Sequence, residues 1–156
     1  MPRQLQPPVS ILFDFGAIYE GYCYDYGRTV VFGDPDAKFQ QVYGLVMASQ
    51  QVGIQALRPG RSAAEADQAA RSLIVEAGLG EAFRHRLGHG IGLDVHEPPF
   101  LTQSDHTILK PGMCFTVEPS IIFPWRCSAR VEDVVLVGEN GGMPLTSGFQ
   151  ELRIID

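Results

Sequence analysis

His85-Arg86-Leu87-Gly88-His89-Gly90-Ile91-Gly92-Leu93-Asp94-Val95-His96-Glu97-Pro98 is the stretch around which the rest of the chain is organised. It holds three of the four histidines, with glycines alternating through its middle. Glycine inside a strand forfeits side-chain packing and marks places where the backbone bends or closely approaches another group. Imidazole suits metal binding and proton transfer near neutral pH. The segment therefore predicts the floor of a metal or acid–base site rather than a core strand. The alternative is a glycine-rich surface loop with incidental histidines.

Length and composition limit what carries this site. A chain of 156 residues suits one domain, 1–156, with a proper core. The formal net charge of −6 leaves no basic surplus for phosphates, so no nucleic acid is expected as a partner. Three cysteines without C-x-x-C spacing argue against disulfides and structural zinc, and favour a cytoplasmic location. Neither a signal peptide in the first eight residues nor a membrane segment is indicated.

The hydrophobic pattern predicts an α+β domain. Two helices are expected, from Asp36 to about Leu57 and from Ser62 to about Ala77, and Ser62 and Glu65 form a capping box at the start of the second. In the N-terminal strand region a turn is expected at 16–17 and a bulge at Gly21. Asn140 to Gly142 reads as a tight turn. The predicted strands cover residues 9–16, 18–24, 113–119, 121–123, 129–137 and 152–155.

Four carboxylates lie on or at the ends of otherwise apolar strands, namely Asp14, Asp25, Glu118 and Glu132. Taken singly, each is more often a surface group. A buried carboxylate needs a counter-charge, and only Arg28 and Arg130 lie close to these four in their own strand segments. Two divalent cations would balance the remaining charge. Carboxylates with an imidazole suit Mn²⁺, Co²⁺, Fe²⁺ or Zn²⁺, and two such ions are equipment for hydrolysis.

Eight short motifs occur along almost the whole chain. They are Asp14-x-Gly16, Gly21-Tyr22, Asp25-x-x-Arg28-Thr29, Gly88-His89-Gly90-Ile91-Gly92, Val95-His96-Glu97, Lys110-Pro111-Gly112-Met113, Glu118-Pro119 and Arg130-x-Glu132-Asp133. In this order they resemble the metallopeptidases of the creatinase, prolidase and aminopeptidase P group, which share the pita-bread fold. That resemblance implies a mixed, mainly antiparallel sheet with covering helices.

The resemblance also implies a set of metal ligands. In chain order these are Asp14, Asp25, His89, Glu118 and Glu132, with Asp25 and Glu132 bridging two divalent ions. Mn²⁺ is preferred, with Co²⁺ or Zn²⁺ as alternatives.

Further residues acquire roles in the same way. His85 and His96 match the group's two non-ligand histidines, which hold the substrate and stabilise the tetrahedral intermediate. Glu118 would also shuttle the proton, and Arg130 would lie beside the ligands. The implied reaction is hydrolysis of the bond preceding proline in a peptide, of prolidase or aminopeptidase P type.

Some positions separate this chain from its relatives. Methionine aminopeptidases have Gln-x-Glu-His where this chain has Arg130-x-Glu132-Asp133, which favours the prolyl-specific branch. Gly27 replaces a threonine or serine whose hydroxyl can orient Asp25, and Ser120 replaces a glycine. Phe100 stands where some dipeptidases carry an arginine that grips the substrate's carboxylate. Arg126 is a candidate substitute, and longer X-Pro peptides are as plausible as dipeptides.

The resemblance reaches only the C-terminal part of the catalytic domain, so a fold truncated on its N-terminal side is expected. In relatives, helices, a strand and a further substrate-contacting histidine precede the first aspartate. Without them one side of the sheet should expose an edge and an apolar face. A second copy covering it would make a homo-oligomer, in the simplest case a dimer. The alternative function is a catalytically silent binding or assembly module.

Overall fold

The computed structural model describes residues 4–156, so the first three residues of the leader lie outside this range. Within it, two α-helices, α1 (Ala37–Ala56) and α2 (Ala63–Glu76), accompany a short 3₁₀ turn, Gly80–Ala82. The strands are β1 (Val9–Tyr19), β2 (Tyr22–Phe32), β3 (Gly88–Gly90), β4 (Glu97–Leu101), β5 (Cys114–Val117), β6 (Ser120–Phe123), β7 (Cys127–Gly138), β8 (Gly141–Pro144) and β9 (Arg153–Ile155). No helix among residues 4–156 is long and apolar enough to cross a membrane.

One sheet contains all of these strands. Its hydrogen-bonded order is β1-β2-β7-β5-β3-β4, while β6 and β8 each pair with β7 and β9 pairs with β2. Every pairing is antiparallel except that of β9 with β2. The expected α+β class with a mixed, mainly antiparallel sheet and covering helices is confirmed.

Both helices begin where their capping residues indicate. The Asp36 carboxylate accepts from the Phe39 amide at 2.7 Å, and the Ser62–Glu65 capping box is present. Three alanines of α2 that face the core are fully buried, Ala63, Ala66 and Ala70. Small side chains let α2 pack closely into the core that it shares with α1 and the sheet.

The first hairpin corrects one expectation. β1 continues through Gly16 and Ala17 to Tyr19, and the turn is formed by Glu20 and Gly21, whose φ angles are 49° and 88°. Positive φ at both central residues is the geometry that matches the twist of paired strands. The predicted turn at 16–17 is therefore wrong. Gly16 serves close pairing instead, because a Cβ there would collide with the Tyr24 carbonyl oxygen.

Three further strands were not expected, namely β3, β4 and β8. Gly88–Gly90 forms β3, a buried strand between β4 and β5, so the exclusion of a core strand there is wrong. The close backbone approach is confirmed, since a Cβ on Gly88 would collide with the Thr116 carbonyl oxygen. β8 follows the tight turn before Gly141, and its Gly-Gly-Met-Pro sequence lacks the residues typical of strands.

The outer part of the β1–β2 hairpin is exposed. β1 is an edge of the sheet, and large apolar side chains near the turn reach solvent: Phe13 (48% exposed), Phe15 (55%), Tyr19 (77%) and Tyr22 (65%). This confirms the expected bare edge and apolar surface. The opposite side of the same strands carries Asp14 and Asp25, because successive residues of a strand point to opposite faces.

Candidate metal centre

Strand register brings three carboxylates onto one face of the sheet. Asp14 of β1 lies opposite Gly27 of β2, and Gly27 lies opposite Glu132 of β7. Asp25 is two residues before Gly27 and therefore shares its face. Glycine at the middle position leaves open the space between Asp14 and Glu132.

His89 and Glu118 approach this face from β3 and from the end of β5. The Nε2 of His89 lies 3.4 Å from Oε1 of Glu118 and 3.9 Å from Oδ2 of Asp25. Thr116 holds both residues, since its hydroxyl accepts from the His89 amide at 3.0 Å and donates to Glu118 at 3.2 Å.

The protonation of His89 follows from its partners. Its Nδ1 lies 3.1 Å from the Gly90 carbonyl oxygen, which only accepts, so Nδ1 carries the proton. The lone pair of Nε2 then points at carboxylates. Burial lowers the pKa of His89 to about 4, which keeps the ring neutral at pH 7. A neutral imidazole facing carboxylates is a donor set that suits a divalent cation.

Three of these groups form the tightest cluster. One ligand atom each from Asp25, His89 and Glu132 lies within 4.8 Å of the others. The Oε2 of Glu132 is buried and has no hydrogen-bond partner. Buried oxygens are rarely left without a partner, so this atom is available to a further group.

The same crowding changes the acidity of the carboxyl groups. Burial first, and then the charges of Glu118 and Asp25, raise the pKa of Glu132 to about 9. Burial raises the pKa of Glu118 to about 7, against the opposing effect of Arg130. Burial and the charge of Asp14 raise the pKa of Asp25. The cluster thus resists holding its full negative charge, which divalent cations would relieve.

Only one of the two expected arginines serves as a counter-charge. The Nη1 of Arg130 lies 2.8 Å from Oδ2 of Asp14 and 3.5 Å from Oε2 of Glu118. Arg28 instead makes two 2.9 Å hydrogen bonds to the Asp133 carboxylate. It lies on the face of β2 opposite to Asp25, so the unmatched charge is larger than the sequence suggested.

The two remaining histidines of the central segment have different surroundings. The exposed His96 ring stands 4.1 Å from the His89 ring, measured between centroids. His85 is half-buried and hydrogen-bonds Ser120, which pairs with Arg130 across β6 and β7. Beside the carboxylates, Ile18 and Val95 help to line a cleft that Asp14 and Asp25 also border.

The family model of metallopeptidase family M24 matches residues 1–139 of this chain. The chain belongs to metallopeptidase family M24. It is 42% identical over 151 residues to an Xaa-Pro dipeptidase of Lactobacillus delbrueckii subsp. lactis. The aligned region covers 97% of this chain and 41% of the relative.

Solved structures of family members share the fold. The dipeptidase PepE from Mycobacterium ulcerans superposes with a TM-score of 0.95 at 43% identity, over 97% of this chain and 41% of that one. The prolidase from Pyrococcus furiosus does so with a TM-score of 0.88 at 43% identity, over 90% and 42% respectively. The fold is thus that of the pita-bread prolidases, and the chain spans about two-fifths of the length of these relatives.

Gly27 bears on how this M24 member arranges its carboxylates. A Cβ at this position would stand 2.7 Å from Oε2 and 3.0 Å from Cβ of Glu132. A serine or threonine hydroxyl here would therefore meet Glu132 first, and not Asp25 as the sequence suggested. Because Gly27 has no side chain, it offers no hydroxyl to the Oε2 of Glu132, which has no hydrogen-bond partner.

Two residues that hold the backbone before His89 were not predicted from the sequence. Asp67 is fully buried and holds Arg71 through two 2.8 Å hydrogen bonds. Arg71 in turn donates to the carbonyl oxygens of Phe83 (3.0 Å) and His85 (2.7 Å). The pair thus fastens the backbone before His89 to α2. Its sequence signal, an Asp and an Arg four residues apart, is that of any helix-surface pair.

Proposed function

We propose that this chain carries the catalytic centre of an Xaa-Pro peptidase, which uses two divalent cations to hydrolyse the bond preceding proline. The observation that carries the proposal is the buried, unpartnered oxygen of Glu132 beside Asp25 and the lone pair of His89. Relatives that bear the names Xaa-Pro dipeptidase and prolidase support the substrate class. Because the chain spans two-fifths of their length, activity of these 156 residues is part of the proposal.

The proposed ligands are Asp14, Asp25, His89, Glu118 and Glu132, with Asp25 and Glu132 shared between the ions. Oxygen-rich sites with one imidazole suit Mn²⁺ first, and Co²⁺ or Zn²⁺ also bind such sets. When bound, the cations supply Lewis-acid polarisation of the scissile carbonyl.

Glu118 is the proposed proton carrier. It lies at the end of β5 among the proposed ligands, with its Oε1 3.4 Å from Nε2 of His89, so its carboxylate is placed beside the cations where general acid–base catalysis requires it. It would accept a proton from the attacking water and deliver it to the departing proline nitrogen. Thr116 fixes one of its oxygens through the 3.2 Å hydrogen bond, so the transfer occurs from a defined position.

His96 is the proposed donor to the developing oxyanion. Its ring is exposed beside His89, so it can meet a substrate held against the carboxylates. The apolar side chains of Ile18 and Val95 border the same cleft and suit a proline ring or an apolar residue.

Both dipeptides and longer X-Pro peptides are proposed substrates. Arg126, considered as a carboxylate-binding substitute, borders a cavity with Lys38, Phe39 and Cys127, and none of the proposed ligands lines it. We further propose that the apolar surface of the β1–β2 hairpin is covered in a homodimer.

Metal content and hydrolysis test the proposal together. Metal-free protein should take up two Mn²⁺ per chain by elemental analysis, and should then hydrolyse X-Pro dipeptides or tripeptides. His96→Ala should abolish most of the turnover, whereas His106→Ala, the same change in an exposed loop, should not. Failure to bind any metal would overturn the proposal. Metal binding without hydrolysis would favour the silent binding or assembly module.

A further inference from the structure

Both ring nitrogens of His85 are already engaged within the protein. Nδ1 lies 2.7 Å from the carbonyl oxygen of Arg86, and Nε2 forms a short hydrogen bond with Oγ of Ser120. Among the hydrogen bonds of residues 4–156, the one from Ser120 is the only side-chain contact of this kind to the His85 ring.

We propose that Ser120 is a positioning residue, whose hydroxyl donates to Nε2 of His85 and holds the ring neutral with its proton on Nδ1. A carbonyl oxygen only accepts, so the Arg86 carbonyl requires a proton on Nδ1. Nε2 then bears the lone pair, and the hydroxyl of Ser120 must be the donor. The proposal rests on the proposed function in assuming that His85 lies beside the bound peptide.

Besides the hydrogen bond to Ser120, other contacts restrict the position of the His85 ring. The Phe83 ring packs edge-on against His85, with 5.3 Å between centroids. Arg71, itself held by Asp67, fixes the His85 carbonyl oxygen at 2.7 Å. Ser120 is 1% exposed and starts β6 opposite Arg130, so its place is set by the pairing of β6 with β7. Water has little access to take over its role.

This arrangement divides the work of the two histidines. A ring whose only N–H is given to Arg86 has none left for an oxyanion, so His85 does not share that task with His96. With both ring nitrogens engaged, His85 would instead meet the peptide through the carbon atoms of its ring. Ser120 thereby bears on how the substrate is held.

Ring-nitrogen NMR tests the positioning without any need for activity. In protein with ¹⁵N-labelled histidine, His85 should show a pyrrole-type Nδ1 and a pyridine-type Nε2 shifted by hydrogen bonding. His85→Asn identifies its signals among those of four histidines. Ser120→Ala should move the Nε2 signal, and Ser128→Ala on the facing strand should not. A proton on Nε2, or a signal indifferent to Ser120→Ala, would overturn the proposal.

Kinetics test whether Ser120 acts through His85. Loss of one neutral hydrogen bond corresponds to a drop in kcat/KM of about tenfold for X-Pro hydrolysis. Ser120→Ala should cause such a drop mainly through KM, and Ser120→Thr, which keeps the hydroxyl, should restore part of it. In a His85→Ala background, Ser120→Ala should lower kcat/KM no further. Additive losses of kcat/KM in the double variant would contradict the proposal. If no hydrolysis occurs at all, the proposed function fails and the NMR result still decides the positioning.

Discussion

Glu132→Gln is the substitution that most sharply separates the metal-free chain from the metal-loaded one. The pKa of Glu132 is raised from 4.5 to about 9 when no metal is present, chiefly by burial. At neutral pH the folded metal-free chain therefore keeps a proton that the unfolded chain releases. The proton that folded Glu132 retains stabilises the folded chain. This stabilisation is fully present below the unfolded pKa of Glu132 and is lost as the pH rises through its folded pKa. Glutamine imitates the protonated form and does not titrate.

The magnitude follows from the shifts. Between about pH 6.5 and about pH 8.5, Glu132 should remove about 2.5 kcal/mol of the free energy of unfolding. Glu118, with a pKa of about 7, should remove about 1 kcal/mol more over the same range. His85 and His89, whose pKa values are lowered to about 4, are neutral there in the folded state, but the unfolded chain still releases their protons above pH 6.5, which restores about 0.4 kcal/mol for each. The wild type should therefore lose about 2.5 kcal/mol, whereas Glu132→Gln should lose almost none.

Urea unfolding in the presence of EDTA at the two pH values measures this difference. Adding Mn²⁺ should then stabilise the wild type more at the higher pH, because the ligands must lose their protons to bind. The glutamine variant should gain little from Mn²⁺ at either pH. Equal losses in the two proteins, or a wild type that becomes more stable with rising pH in EDTA, would refute the reasoning.

Three further substitutions test other parts of the site. Glu118→Gln should lower kcat for X-Pro hydrolysis by about 10²- to 10⁴-fold with an unchanged far-ultraviolet spectrum, and a loss of less than about twofold would exclude Glu118 as proton carrier. Gly27→Ser should place a hydroxyl against Oε2 of Glu132 and tighten Mn²⁺ binding relative to Gly27→Ala, as calorimetry would show, and equal affinities would contradict this geometry. Asp67→Asn should reduce the free energy of unfolding by about 3 kcal/mol, because it leaves the Arg71 guanidinium without its partner, and a change below about 1 kcal/mol would show that the pair is not anchoring.

Local signals in the sequence were sufficient for the helices. Asp36, Ser62 and Glu65 are capping residues, and their effect depends only on the neighbouring backbone. Gly16 was misread because glycine marks both turns and close strand approach. The sequence does not distinguish the two until the register of β1 with β2 is known.

The residues proposed for the site could be predicted from the sequence because their order along the chain resembles that of a known family. Their physical arrangement was not. Strand register places Arg28 on the face opposite to Asp25, and its guanidinium there binds the Asp133 carboxylate. Two further contacts join residues that are far apart along the chain. Asp67 and Leu87 are 20 residues apart, and Ser120 and His85 are 35 residues apart. Such contacts leave no periodic signal in the sequence.

The binding stoichiometry of Mn²⁺ tests the central claim most directly. Native mass spectrometry and calorimetry on the metal-free chain should show two Mn²⁺ bound to the wild type, with binding severely weakened in Asp25→Asn. That variant removes one charge from a proposed bridging ligand and keeps the shape of the side chain. A wild type that binds no Mn²⁺, or an Asp25→Asn variant that binds it equally well, would contradict the account.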